Sequence, residues 1–482
     1  MSRFKSGSIP PPAPSPRPFT SAATVPPPPA FGTGKYSAAS PVAANIPQPF
    51  AGPARREVTR SIAHKIGLGA LCLYLLSYAG FLNESFIVFV GAKPYISLVC
   101  GPLAALALFA SGDLFRGLRT KTGLLWACML GLMLLGVPLS VWKSDSLREW
   151  LAYSTRIHSM FFFISAAAFT LADCRKLLYA NILGGFFVLG LTAAFSKAPE
   201  GRLILPQGSF SNPNALALQL LLSASLFTYL IYRKNLGMRI AGLAGLAVAL
   251  VLIFQTGSRG AFVAVFFSAV ALCFIVKRIA TRLRLVMVFM LLLFCGLMAA
   301  LSNPAAVRRL TEVTLITEGP SAEQGDDLYA RSSQLARQEL LRLSIAYTLS
   351  HPLLGVGMNE FGVAVDGDAL RAGKRSSWAG THNSYTQMSA ECGIPAALCY
   401  IAVIFLSLKS TWKLFREASV SRQGEDPAAM ALTLFLALTS VAVATFFYHI
   451  AYGYYIPALA GMSVALQMAS AKPAASGNRN RA

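Results

Sequence analysis

From about residue 66 to residue 470, the chain alternates between long apolar blocks and short polar segments. Most blocks approach the roughly 20 apolar residues that a helix needs to cross a bilayer. They predict spans over 66–84, 92–112, 122–142, 157–172, 177–196, 215–233, 238–256, 261–277, 284–302, 392–409, 428–448 and 453–470. The pattern thus predicts an all-α polytopic membrane protein with about 12 transmembrane helices.

Composition supports a membrane protein and affects how the net positive charge is interpreted. The chain is 55% hydrophobic and 13% charged, more apolar than one soluble core needs. A net charge of +22 would suggest nucleic acid in a soluble protein, but the basic residues lie mostly between apolar blocks. No aromatic and basic nucleic-acid module is visible, so we predict no nucleic-acid partner.

The basic residues predict the orientation of the chain. Arg55, Arg56, Arg60 and Lys65 precede the first block, which places the N-terminus in the cytoplasm by the positive-inside rule. Every even-numbered connection between the predicted helices is also basic. Both termini are therefore predicted to be cytoplasmic, and the odd-numbered connections lie outside.

This topology divides the chain into five parts. One of them, the outer segment between the ninth and tenth predicted helices, is too long for a simple connection. The first is a Pro-rich tail with too few apolar residues to bury a core, and we predict that it is disordered. The parts are the cytoplasmic tail 1–62, helices one to nine over 63–302, an outer segment over 303–383, helices ten to twelve over 384–470, and a cytoplasmic tail over 471–482.

Chemistry is suggested first by the stretch THNSYTQMSAECGIPA, which begins at Thr381. His382 and Asn383 stand at a predicted membrane surface, and Gly393 follows as a long apolar run begins. A histidine here could simply cap or hydrogen-bond a helix end. It could also serve as a base near neutral pH.

Two arginines fall on predicted outer connections, where the positive-inside rule does not explain them. Arg259 stands in the turn TGSRG before a predicted helix; it could snorkel, or form an anion site with that helix N-terminus. Arg202 stands in the irregular segment GRLILPQGSFSNPNALAL, in which Asn212 or Asn214 could cap the next helix.

The outer segment contains a predicted helix from about Leu328 to Ser350, followed by the Gly-rich turn HPLLGVGMNEFG. A polar stripe at helical spacing is most simply a solvated face; it comprises Arg331, Gln334, Gln338 and Arg342. We predict a partly ordered lid or binding platform, because the segment leads directly to His382.

Arg202, Arg259 and His382 thus come from three outer connections of a topology drawn from the basic residues of the other face. Two arginines suit the oxygens of a diphosphate, and a histidine can take a proton from a hydroxyl acceptor. The eight cysteines show no CxxC spacing and no histidine at ligand spacing. We therefore predict that they are packing residues and form neither disulfides nor a metal site. No cofactor is predicted.

These motifs resemble the O-antigen ligase and O-antigen polymerase superfamily of bacterial membrane glycosyltransferases. The similar segments are GSFSNPNALA, TGSRGAF, HPLLGVGMNEF and HNSYTQMSAECGIPA. The last resembles the ligase signature of His, then Asn, Ser or Gln, nine residues, Gly, two residues and Gly. His382, Asn383 and Gly393 match it, and Ala396 stands where the second glycine is expected.

The resemblance implies a multi-pass enzyme of the bacterial inner membrane. Its donor would be an undecaprenyl-diphosphate-linked glycan, and its acceptor the lipid A core or, in a polymerase, a carrier-linked glycan. The resemblance implies that His382 activates the acceptor, without a metal, while Arg259 and Arg202 bind the diphosphate. Asn383, Tyr385, Gly393, Asn212 and Asn214 would support the site. The outer segment would then be periplasmic.

A polysaccharide transporter or flippase is the alternative from a different class. The predicted spans contain almost no ionisable residues at depth, and no paired helix breaks mark a midplane substrate site. The patterns therefore favour a transferase.

Overall fold

A computed structural model describes residues 61–92, 94–206, 208–275, 325–373, 380–420 and 425–471. The protein is all-α. In chain order the helices are α1 (Ile62–Ala79), α2 (Leu82–Val90), α3 (Ile96–Ala110), α4 (Lys121–Gly136), α5 (Lys143–Tyr153), α6 (Met160–Ala167), α7 (Leu171–Phe195), α8 (Pro213–Ile231), α9 (Leu236–Gln255), α10 (Arg259–Ile275), α11 (Gly325–Ser350), α12 (Phe361–Arg371), α13 (Ser384–Val420), α14 (Glu425–Ala444) and α15 (Tyr455–Ser470).

Polar caps set where the long helices begin. Thr170 and Asp173 form a capping box at the start of α7, which satisfies backbone N–H groups that a helix start leaves unpaired. The side chain of Asn235 accepts a hydrogen bond from the Met238 N–H at the start of α9. These starts therefore follow from local sequence.

Hydroxyl groups join three helices in the middle of the bundle. Most of α8 and α14 is buried inside the protein, whereas most of α9 is not. The Ser440 Oγ of α14 lies 2.9 Å from the Ser225 Oγ of α8 and 2.7 Å from the Ser268 Oγ of α10. Such pairs hold apolar helices together where hydrocarbon supplies no hydrophobic driving force. Helices α8 and α14 thus form the centre, and α9 lies at the periphery.

Among the described residues, 7 helices are long and apolar enough to cross a bilayer, so the protein is a multi-pass membrane protein. They are Ile62–Ala79, Lys121–Leu139, Leu171–Phe195, Pro213–Ile231, Leu236–Gln255, Ser384–Val420 and Asp426–Ala444. The total of about 12 remains a prediction. The predicted span 284–302 lies outside the described residues.

Some predicted spans have different boundaries in the structure. The predicted span 157–172 is not one helix: it includes the end of the π-helical turn Ser154–His158, the 8-residue α6 and the start of α7, because Ala168 is extended and the cap of α7 follows. The predicted span 392–409 starts at the break that Gly393 makes within α13, and the helix continues beyond it to Val420. Apolar periodicity identifies buried segments but does not locate helix ends, which caps and backbone breaks decide.

The predicted outer segment includes α11 and α12, while 303–324 and 374–379 lie outside the described residues. The Thr348 Oγ1 of α11 lies 2.8 Å from the Ser389 Oγ of α13. The predicted tails 1–62 and 471–482 fall almost entirely outside the described part of the chain. Contact with α13 fixes the orientation of α11 next to the candidate site.

Candidate active site

Arg202 is held between the start of α8 and the end of α9. Its Nε donates a hydrogen bond to the Thr256 carbonyl at 3.0 Å, and its Nη2 donates to Asn214 Oδ1 at 3.1 Å. The Leu203 N–H donates to the Gln255 carbonyl at 3.0 Å. These bonds attach the segment after α7 to the turn that leads into α10. The structure thereby brings Arg202 beside the TGSRG turn.

The two asparagines of the NPN sequence have different contacts. Asn212 Oδ1 accepts a hydrogen bond from the Asn214 N–H at 2.9 Å and caps α8. Pro213 occupies the first helical position, where its missing N–H costs nothing. The side chain of Asn214 accepts from Arg202 instead. Asn212 therefore sets the helix start, and Asn214 orients the arginine.

The TGSRG turn connects α9 to α10 and touches the segment after α14. Gly257 has a φ of 60°, a region that glycine enters without strain. Ser258 Oγ lies 2.5 Å from the Tyr448 OH, and a Cβ on Gly260 would lie 2.6 Å from Phe447 Cβ. Arg259, half-buried, is the first residue of α10. Gly260 thus permits the close approach of the start of α10 to Phe447, and Ser258 joins the turn to Tyr448.

His382 directly precedes the cap of α13. Asn383 Oδ1 accepts hydrogen bonds from the N–H groups of Tyr385 at 2.8 Å and Thr386 at 3.1 Å. His382 itself has a φ of 52°, which is uncommon for a residue with a side chain. Such conformations persist where surrounding contacts enforce them, and they cluster at functional sites. The backbone of His382 is therefore fixed by its neighbours.

Ser384 fixes the segment after α14 around the histidine. Its Oγ donates to the Tyr448 carbonyl at 2.6 Å and accepts from the Ile450 N–H at 3.0 Å. The imidazole of His449 lies edge-on to that of His382, with ring centroids 4.9 Å apart. Sequence reasoning missed His449. Its proximity depends on this pairing of two distant segments.

Arg337 of α11 joins the same cluster, and sequence reasoning missed it too. Burial lowers the pKa of its guanidinium, the like charge of Arg259 lowers it further, and Tyr448 opposes both effects. Arg337 is also one of the groups that act on His382, while Arg202 and Arg337 both lower the pKa of Tyr448. Arg337 therefore lies among the residues that the sequence predicted.

A helical pattern could have indicated Arg337. Gln338 and Arg342 of the predicted solvated stripe are exposed, and the side chains of the other two members are not described. Arg337 is offset from Gln338 by about 100° around the helix. It shares its face with Ser344, which is buried, and with Thr348, which contacts α13. A cation on the face of α11 that packs inside the protein is therefore a signal that could have identified Arg337 as a site residue.

The electrostatics of the cluster suit a neutral base beside cations. Burial, together with the neighbouring His449 and Arg337, lowers the pKa of His382 from 6.5 to about 4. His382 is therefore neutral at physiological pH and can accept a proton. The guanidinium groups keep their charge there. The arrangement can bind an anion and deprotonate a hydroxyl group at the same place.

Gly393 allows a break in α13 that receives the HPLLGVG turn. Its φ is 85° and any Cβ there would overlap the Leu353 carbonyl. The Ile394 N–H donates to the Pro352 carbonyl at 2.7 Å, outside the helix. Pro395 has no N–H, and the Glu391 carbonyl accepts instead from Gly357 at 2.9 Å. Gly393 thus positions the turn that follows α11.

Tyr385 anchors α13 rather than facing His382. Its OH donates to the Ala442 carbonyl of α14 at 2.8 Å, and its ring packs on Phe446 with centroids 4.3 Å apart. Across the described ranges, no group of three His, Cys, Asp or Glu side chains could hold a metal ion. Metal independence remains a prediction from the sequence.

Together these observations define a multi-pass membrane protein with a histidine and several arginines at one end of its helix bundle. Residues 244–401 match the family model described as O-Antigen ligase. This part of the chain is therefore an O-antigen ligase domain, which confirms the resemblance seen in the sequence. It contains Arg259, Arg337 and His382, while Arg202 precedes it. No curated protein matches the chain.

The family consists of membrane enzymes of the O-antigen ligase and polymerase type, which act on lipid-linked glycans. The match covers the later part of α9, all of α10, α11 and α12, and the first half of α13. It includes the elements that carry Arg259, Arg337 and His382, whereas Arg202 precedes it and His449 follows it.

Proposed function

We propose that the protein transfers a glycan from undecaprenyl diphosphate to an acceptor hydroxyl, as an O-antigen ligase does with the lipid A core. The observation that carries the proposal is the neutral His382 beside Arg337, which is itself beside Arg259. A base suits the acceptor hydroxyl of this reaction, and a pair of cations suits the diphosphate of the donor.

In this reaction His382 accepts the proton of the acceptor hydroxyl. The acceptor oxygen forms a bond to the anomeric carbon, and the bond from that carbon to the diphosphate oxygen breaks. The diphosphate leaves with the electron pair. Arg259 and Arg337 stabilise the charge that develops on it, because guanidinium groups match phosphate oxygens in geometry and charge.

Two further features support donor binding at this end. Arg259 is the first residue of α10, and the partial positive charge of a helix start favours an anion there. Arg202 is held beside this turn by Thr256 and Asn214. We therefore assign Arg202, Arg259 and Arg337 to the diphosphate, and His382 to the acceptor.

The orientation follows from the same proposal. Undecaprenyl-linked glycans are used at the periplasmic face by enzymes of this superfamily, so the His382 end would be periplasmic. The outer segment 303–383 would then cover the site, and both termini would lie in the cytoplasm of a bacterial cell. The basic connections at the other end support this orientation.

The test is glycan transfer by the purified full-length protein in detergent. The donor is an undecaprenyl-diphosphate glycan, and separate reactions contain either lipid A core or a carrier-linked glycan as acceptor. Product on the core alone supports the ligase, whereas chain extension on the carrier identifies a polymerase. No product with either acceptor contradicts both assignments.

The transporter alternative is tested with a variant. In the proposed transferase His382 is the base, so His382→Asn should strongly lower glycan transfer while the protein remains folded. A transporter has no such requirement, and flipping of a labelled lipid-linked glycan in proteoliposomes by this variant at the wild-type rate would favour transport.

A further inference from the structure

A second cluster of basic residues lies at the opposite end of the bundle. Helix α8 begins and α9 ends beside Arg202, and α14 ends beside Ser384. The other termini of these three helices therefore meet away from His382. That end carries Arg175, Arg233, Lys234 and Asp426. We call these four residues the Asp426 cluster.

Asp426 joins three helices within this cluster. Its carboxylate accepts hydrogen bonds from Arg175 of α7 and from Arg233 at the end of α8. The Tyr229 OH of α8 donates to Asp426 Oδ1 at 2.7 Å. One carboxylate offsets only one of two guanidinium charges. The cluster is therefore a structural connection that retains positive charge.

The guanidinium groups remain accessible despite these contacts. The side chains of Arg175 and Arg233 are 35% and 27% exposed. Among the described residues, the Nε of Arg175 is buried and has no hydrogen-bond partner. The exposed parts of the two guanidinium groups can therefore donate to a further acceptor in addition to Asp426.

The cluster lines a cavity of ≈ 480 Å³ that is both basic and apolar. Lys234 adds a third cation to its wall, while Tyr232 and Met238 contribute apolar surface. Helix α9 starts at this cavity behind its cap, Asn235, and a helix start carries partial positive charge. The cavity therefore combines a site for an anion with a surface for hydrocarbon.

We propose that this cavity binds the phosphate of an anionic phospholipid head group. The phosphate would lie against Arg175, Arg233 and Lys234, and the glycerol and first methylene groups would lie along Met238. Basic pockets between transmembrane helices suit such head groups, and Tyr232 is 48% exposed at the bundle end, where aromatic side chains meet the lipid interface. The site is separate from His382 and independent of the proposed transfer.

A free phosphate ion has the same chemistry as the head group, so the experiment includes both. Delipidated full-length protein in detergent is titrated with phosphatidylglycerol, phosphatidylcholine or inorganic phosphate. Bound lipid is counted by native mass spectrometry, and the unfolding temperature is measured in parallel. Phosphatidylglycerol should bind saturably and raise the unfolding temperature, while phosphatidylcholine should not.

Variants separate this site from general attraction to charge. Arg175 and Arg233 hold Asp426, so their loss could unfold the protein. Lys234→Gln removes one cation of the cavity wall while both arginines stay in place, and it should weaken binding of phosphatidylglycerol about five-fold. Lys409→Gln is the matched control, because Lys409 is an exposed lysine of α13 outside the cavity. It should bind lipid as the wild type does.

Three outcomes decide the proposal. A loss in Lys234→Gln with none in Lys409→Gln supports the head-group site. Equal saturable binding of inorganic phosphate, also lost in Lys234→Gln, supports a phosphate site whose ligand is soluble and overturns its assignment to lipid. Equal binding of both lipids, or equal affinity in both variants, overturns the site altogether.

Discussion

Each end of the helix bundle gathers arginines from separate elements, but the surroundings of those arginines differ. In the Asp426 cluster, one carboxylate accepts from both Arg175 and Arg233. At the other end, Arg337 lies close enough to Arg259 that the like charge lowers its pKa. The first arrangement connects helices. The second brings like charges from separate elements together beside His382.

This difference separates a structural use of arginine from a functional one. A shared carboxylate offsets one of the two guanidinium charges in the protein alone, so the connection between the helices forms without a ligand although the cluster keeps positive charge. The diphosphate of the proposed donor would relieve the repulsion between the two guanidinium groups. His382, held at a φ of 52° beside them, belongs to the functional arrangement.

The largest expected effect is on His382. Asn is tolerated at positive φ and cannot act as the base, so His382→Asn should lower kcat for glycan transfer by about 10²–10⁴-fold. The unfolding temperature should stay near that of the wild type. His351→Asn is the control, because His351 is exposed and contacts Ser350. Transfer by His382→Asn within about three-fold of wild type would exclude general-base catalysis by His382.

The second effect concerns Arg337, which we assign to the diphosphate. Arg337→Gln removes one charged contact and should lower kcat/KM for the donor by about 10–100-fold. Arg342→Gln, five positions later on α11, is the matched control because Arg342 is 72% exposed. Equal losses in both variants would mean that α11 contributes through general stability instead of through Arg337.

The third effect is on pH dependence. The His382 pKa of about 4 places the acid limb of kcat/KM near that pH, since the protonated histidine cannot accept a proton. A bound diphosphate favours the protonated form, so the acid limb of kcat should lie at higher pH. Arg337→Gln removes a positive charge that lowers the pKa of His382, so both acid limbs should move to higher pH. If initial-rate profiles show the acid limbs of Arg337→Gln at the same pH as those of the wild type, Arg337 does not act on the pKa of His382.

The same pKa has a consequence for folding. Below the unfolded pKa of 6.5 the unfolded chain binds a proton at His382 that the folded protein excludes until about pH 4. Stability should therefore fall as the pH decreases through this window. In His382→Asn the decrease should be smaller, which unfolding temperatures at several pH values would measure.

The smallest effect on transfer is expected at the other end. Asp426→Asn leaves Arg175 and Arg233 without their shared carboxylate and should lower the free energy of unfolding by about 1–3 kcal/mol. Glycan transfer by the protein that remains folded should change less than about two-fold, because additive behaviour holds for distant sites. A loss of transfer comparable to that of Arg337→Gln would show that the two ends are coupled.

Residues that are neighbours in the sequence determine much of the local structure of the site. Asn212 and Pro213 start α8, and Asn383 caps α13, because short polar side chains satisfy the free N–H groups of a helix start. Gly393 and Pro395 break α13 because of the backbone freedom of one and the missing N–H of the other. These features required no knowledge of distant contacts.

The sequence by itself determined the membrane class, the apolar blocks and the placement of Arg202, Arg259 and His382 on connections of one side. Hydrophobic length and basic residues carry that information locally. Only the tertiary structure decided that Arg337 and His449 lie beside His382, and that Asp426 joins Arg175 to Arg233. These pairings depend on how distant helices pack, and a residue's spacing along the chain does not encode which partner its charge will meet.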